Sequence, residues 1–131
     1  MITREDVQSW IERLDGGTVE ADELEPGLWR VRTQEGAEVV VNYAPPVVIL
    51  RVRVMEVPGG DRLRTDLFRQ LLTFNARELV HGSYGLENGH VVLTDTLELE
   101  GLDYRSLEAS FDALTVSLAS HLGSLAAFRE G

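Results

Sequence analysis

Residues 68–102 read FRQLLTFNARELVHGSYGLENGHVVLTDTLELEGL, and three kinds of local signal meet in them: the end of an apolar helical stripe, a tight hairpin and the approach to a second helix. Asn88-Gly89 between alternating strands is the strongest short hairpin signal, because a type I′ turn needs two residues that tolerate positive φ. With those two in the loop, Glu87 stands opposite His90, Leu86 opposite Val91, Tyr84 opposite Leu93 and Gly82 opposite Asp95. Tyr84, Leu86, Val91 and Leu93 then share the core face, with Asp95 among them. Glu87, His90, Ser83, Thr94, His81 and Thr96 share the other face, with Val92 as the exception.

Working upstream, Pro58-Gly59-Gly60 breaks the chain and Asp61 caps a helix with the stripe Leu63, Leu67, Leu71 and Phe74, widened by Phe68 and Leu72. Before it the apolar period is two: LWRVRT, then AEVVVNY after the turn at Gln34-Glu35-Gly36, then VVILRVRVMEV beyond Pro45-Pro46. The connections are too short for crossovers, so these three strands run in antiparallel succession. In the third, Val48, Leu50, Val52 and Val54 take one face, while Arg51 and Arg53 share the other with Ile49 and Met55. At the N-terminus, Thr3 and Asp6 form a capping box stapled by Ile2 and Val7. Val7, Trp10, Ile11 and Leu14 follow at helical spacing until Gly16-Gly17. Downstream, Asp103 reads as an N-cap, and Leu107, Phe111, Leu114, Leu118 and Leu122 continue a long last helix, loosened at Gly123. The expected order is α-β-β-β-α-β-β-α: an α+β fold, an antiparallel sheet with helices packed on one face, in a single domain over 1–131.

The 131 residues suffice to bury one core, and the absence of cysteine excludes disulfides and thiolate metal sites. The net charge of −10, spread along the chain, argues against a nucleic-acid partner, which needs a basic patch. An acidic body also keeps a sticky surface from self-association or attracts a basic partner segment. All 12 cations are arginine. No apolar run approaches the roughly 20 residues of a membrane-spanning helix, and MITREDVQSW lacks a secretion h-region. The expectation is a cytoplasmic protein without direct membrane insertion.

No set of residues here could run a reaction. His81, His90 and His121 lack metal-ligand spacing, there is no GxSxG elbow around Ser83, and Gly59-Gly60-Asp61 is a linker and cap. The expectation is no enzyme, no catalytic residues, no metal and no cofactor. Asp95, placed between Leu93 and Leu97, reads as a structural carboxylate tied to backbone amides or to an arginine such as Arg77, because a buried carboxylate must find donors.

Residues 71–122 carry a further pattern: LL-x-x-N at Leu71, Leu72 and Asn75, a glycine-aromatic strand at Gly82 to Leu86, a turn, V-L-T-D-T-L, and the L-D that opens the last helix. In this order of elements the chain resembles the YbjN and type III secretion chaperone-like superfamily. The resemblance implies a homodimer of small acidic subunits that binds an extended or amphipathic segment of a client protein along apolar grooves. Carried over residue by residue, it makes Val7, Trp10, Ile49 and Met55, with Arg51 and Arg53 on the same mixed face, candidate partner-binding residues. Leu67, Phe68 and Leu71 become candidates for the dimer interface. The expected function is therefore a non-enzymatic protein-binding module. The alternative is a small-molecule-sensing regulatory domain using a pocket near Asp95.

Overall fold

Six strands form one antiparallel sheet in the order β1-β2-β3-β4-β6-β5 in the computed structural model, which describes residues 1–129. The elements are α1 (Arg4–Ile11), a short α2 (Leu14–Gly17), β1 (Glu20–Glu25), β2 (Leu28–Arg32), β3 (Glu38–Ala44), β4 (Val47–Glu56), α3 (Asp61–Arg77), β5 (Ser83–Glu87), β6 (His90–Glu98) and α4 (Tyr104–Ala126). One core lies between one face of the sheet and the helices: Trp29, Val31, Val41, Leu50 and Leu93 meet Val7, Ile11, Leu67, Phe74, Phe111 and Leu114. Among the described residues no helix packs on the other face. This is the α+β architecture that the sequence implies.

Local signals hold where they are short-range. The Thr3 hydroxyl accepts from the Asp6 amide at 3.2 Å, and the Thr3 amide donates to the Asp6 carboxylate at 2.8 Å, closing the capping box. Asp103 accepts from the Ser106 amide at 2.8 Å and starts α4. The hairpin has the expected register, Glu87 opposite His90, Leu86 opposite Val91 and Tyr84 opposite Leu93, with Asn88 at φ 51° and Gly89 at φ 79°. The ladder stops at Ser83 opposite Thr94, so Gly82 does not face Asp95 within it.

The expected element order needs a correction, because β1 and α2 were not foreseen. All six residues of β1 are exposed, so EADELE shows no alternation of burial and reads as a loop. The signal that marks it is Pro26-Gly27: proline presets φ and Gly27 stands at φ 81°, making a turn that returns the chain from Glu25 to Leu28.

Three further departures have geometric causes. A bulge between Arg53 and Met55 adds one residue to β4, which turns Met55 into the core and leaves Val54 half-buried. Leu86, expected in the core, is 54% exposed, because β5 is an outer strand and Leu86 lies near its turn. In α4 the buried stripe is Leu107, Phe111, Leu114, His121 and Leu125, and Leu122 is exposed. Leu125 stands five turns of about 3.6 residues beyond Leu107, whereas a sustained step of four drifts off the face. The helix runs through Gly123 without a break.

Candidate partner-binding surfaces

The two edges of the sheet are treated differently by the rest of the chain. On β5, the Tyr84 amide donates to Asn75 Oδ1 at 2.7 Å and Asn75 Nδ2 donates to the Tyr84 carbonyl at 3.1 Å. The side-chain amide, held near the end of α3, thus imitates a neighbouring strand and closes the edge at that point. On β1 no backbone hydrogen bond from another element reaches the outer side among the described residues. Its carboxylates do bond inward: Glu23 accepts from the Gly27 amide at 3.0 Å and from Arg4 at 3.1 Å.

A buried aromatic joint holds β5, α3 and α4 together. The His121 ring stacks on Phe74 with centroids 3.7 Å apart and planes 3° apart. Its Nε2 lies 3.1 Å from the Glu78 carboxylate and its Nδ1 lies 2.7 Å from the Tyr84 hydroxyl. A carboxylate only accepts, so Nε2 carries the proton in the neutral ring, and Tyr84 donates to Nδ1. His121, which the sequence offered as an outlying histidine, is therefore a core residue. Burial, and next the charge of Glu78, push the Tyr84 phenol up to about 12.

Because the fold favours the neutral phenol, Tyr84 contributes its full stabilisation below its unfolded pKa of about 10 and loses it as pH climbs through about 12. The chain has three tyrosines, whose phenolates can be followed by ultraviolet titration in this range. A phenol that ionises near pH 12 is expected, with a fall in stability to denaturant, and Tyr84→Phe is expected to remove both. A phenol near pH 12 that persists in Tyr84→Phe would refute this.

The candidate residues do not form one surface. Val7 and Met55 are buried in the core, so neither lines a groove, which corrects that expectation. Trp10 is half-buried in the helix layer, while Ile49 lies on the open sheet face. Trp10 and Ile49 are thus on opposite sides of the sheet. On the open face Ile49 neighbours Asn42 and Thr96, Arg51 neighbours Val40 and Thr94, and Arg53 neighbours Val92. Arg51 pairs with Glu87 at 3.4 Å, and Arg30 pairs with Asp22 and Glu38, each at 3.4 Å. Such exposed pairs contribute little and exchange readily.

Leu67 and Leu71 face the core, so neither offers a surface to a second copy, which is a second correction. Their neighbours do: Leu72 is 67% exposed and, with the half-buried Phe68, lines a shallow outer groove of α3 bordered by Arg69 and Arg77.

Asp95 keeps its core-side place opposite Leu50, and its side chain is 15% exposed. Its donor is the buried Ser110 hydroxyl at 2.7 Å, with His81 Nδ1 at 3.9 Å, in place of the backbone amides or Arg77 expected. His81 reaches it because Gly82, at φ 77°, redirects the chain just before β5. Among the described residues no group of three or more histidine, cysteine, aspartate or glutamate residues is placed to hold a metal ion.

Solved structures with this fold include the ExoU-SpcU heterodimeric complex of the type III secretion system of Pseudomonas aeruginosa, at 19% identity and TM-score 0.70, covering 89% of this chain and 95% of that one. The ExsC-ExsE complex is similar at 20% identity and TM-score 0.65, covering 93% and 95%. The Yersinia pestis type III secretion chaperone SycH, solved with a fragment of YscM2, is similar at 15% identity and TM-score 0.60, covering 90% and 98%. At these identities the likeness is one of fold. No curated protein sequence gives a significant match. The family model CesT_Tir_1 matches residues 2–130, so the chain belongs to this family of type III secretion chaperones.

Proposed function

We propose that residues 1–131 act as one non-enzymatic, chaperone-like domain, a cytoplasmic homodimer that holds an extended segment of a partner protein. The observation that carries this reading is the free β1 edge beside a β5 edge closed by Asn75. A client strand laid along β1 finds unpaired backbone donors and acceptors, which is how strand addition gains affinity. Glu20, Asp22, Glu23 and Glu25 keep that edge from pairing with a second acidic copy and favour a client with basic side chains. The open face with Ile49, Arg51 and Arg53 extends the contact. Family membership supports a protein partner, as do related chaperones solved with their partners. Among the described residues no helix is long and apolar enough to cross a membrane.

The second copy is proposed to cover the outer flank of α3 around Phe68 and Leu72, with Leu67 and Leu71 bracing that flank from inside. The small-molecule reading loses its support, since Asp95 is held by Ser110 and lines none of the grooves described here.

Hydrogen exchange on the complex captured from the native lysate tests the reading. Amides of residues 20–25 are expected to gain protection while those of β5 do not; a client that protects only other elements overturns it. Light scattering addresses the dimer, which a strict monomer at micromolar concentration would exclude.

A further inference from the structure

The geometry points to a second docking site, a groove between α4 and the β2–β3 turn that takes a cationic amphipathic segment of the partner protein. The groove has a volume of about 750 Å³. Val52, Phe111 and Leu118 contribute to an apolar floor, and Val116 and Leu122 flank it on α4, 64% and 41% exposed. Two large aliphatic side chains beside one groove are apolar area that the chain's own core leaves uncovered.

The rim is acidic on both sides. Glu35 and Glu38 stand on the turn side, Asp15 and Asp112 on the helix side, and Arg53 is the one cation among the lining residues. Asp112 is held above the usual carboxylate range, first by partial burial and then by the charges of Glu108 and Asp15. A cation brought to this rim relieves that crowding, whereas an acidic segment worsens it. An apolar floor between acidic rims therefore fits a segment with one apolar face and arginine or lysine on its flanks.

The groove also lies on the path of a chain leaving β1. Glu20, which opens β1, pairs with Arg32, and Thr33 next to it lines the groove. The inference rests on the protein-binding reading above and adds to it a second contact and the chemistry of the segment that fills it.

A labelled synthetic peptide of leucine and arginine, about 16 residues long and in helical register, serves as the probe, with a shuffled peptide of the same composition as control. Fluorescence anisotropy with the full chain is expected to give at least about tenfold tighter binding of the amphipathic peptide than of the shuffled one. The pairs Val116→Ser with Leu122→Ser, and Glu35→Gln with Asp112→Asn, are each expected to weaken binding about five- to tenfold, the second pair also flattening its salt dependence. Glu98→Gln with Glu100→Gln, two exposed acids outside the groove and at the far end of β4, is expected to leave it unchanged. Equal binding of the two peptides, full affinity in both groove variants, or loss only in the Glu98 and Glu100 variant overturns the groove. Protection of β1 by the captured client does not depend on any of these outcomes, so the broader reading and this one fail separately.

Discussion

Gly82→Ala is expected to lower the unfolding free energy by about 2–5 kcal/mol, from a left-handed penalty of about 1–2 and a steric term of about 1–3. Gly82 sits at φ 77°, where an L side chain is strained, and a Cβ built on it would lie 2.6 Å from the Thr94 carbonyl oxygen and 2.9 Å from Leu114 Cδ2. The oxygen belongs to the backbone of β6 and has nowhere to move without breaking the sheet. Other glycines separate the two contributions. Gly89 stands at φ 79° with nothing within 4 Å, so Gly89→Ala carries only the conformational part, and Gly85, with neither constraint, is expected to be nearly neutral. Denaturant titration of the three variants checks the order. Equal losses at Gly82 and Gly89 would show that β6 and α4 do not crowd this turn.

Trp29→Ala is expected to cost about 3–5 kcal/mol, the usual range for deleting a buried aromatic side chain. Trp29 is among the largest side chains that are fully buried; it lies on β2 between Glu23 of β1 and Val41 of β3. It lines the same notch as Gln8 and Ile11 of α1, so it props the outer hairpin against the helix layer. Its loss should loosen β1 before the rest of the sheet, visible as faster exchange of residues 20–25 than of β4 and β6. Among the described residues the indole Nε1 has no hydrogen-bond partner, so Trp29→Phe sacrifices no bond seen there and is expected to cost less than about 2 kcal/mol. If phenylalanine were as damaging as alanine, the role assigned to Trp29 as packing support would be wrong.

These two positions also divide what the sequence reveals from what it conceals. The hairpin around Asn88-Gly89 was legible to the residue, because a two-residue turn transmits its register along both strands. The capping box at Thr3 and the cap at Asp103 were legible for the same reason, since donor and acceptor are three residues apart. Strand β1 was not, since an edge strand whose six residues are all exposed has no apolar face to display. The bulge in β4 was invisible too, because one unpaired residue leaves the composition unchanged and reverses the face of Met55.

Of the candidate site residues, Arg51, Arg53 and Ile49 were correctly placed on the helix-free face by period two alone. Val7, Leu67 and Leu71 were assigned to surfaces although they face the core, and the sequence had no means of telling the two flanks of an amphipathic helix apart. It showed that α3 has apolar residues on more than one flank, which remains true of Leu72 and Phe68.

By itself, then, the sequence determined α1, α3 and α4, the hairpin register and the α+β class, because turn dihedrals, caps and apolar period act between residues close in the chain. Only the tertiary structure decided that His121 is sealed between Phe74 and Tyr84, that Asn75 closes one edge of the sheet, and that β1 leaves the other open. Burial and edge pairing depend on which distant element covers a face, and no local pattern records that.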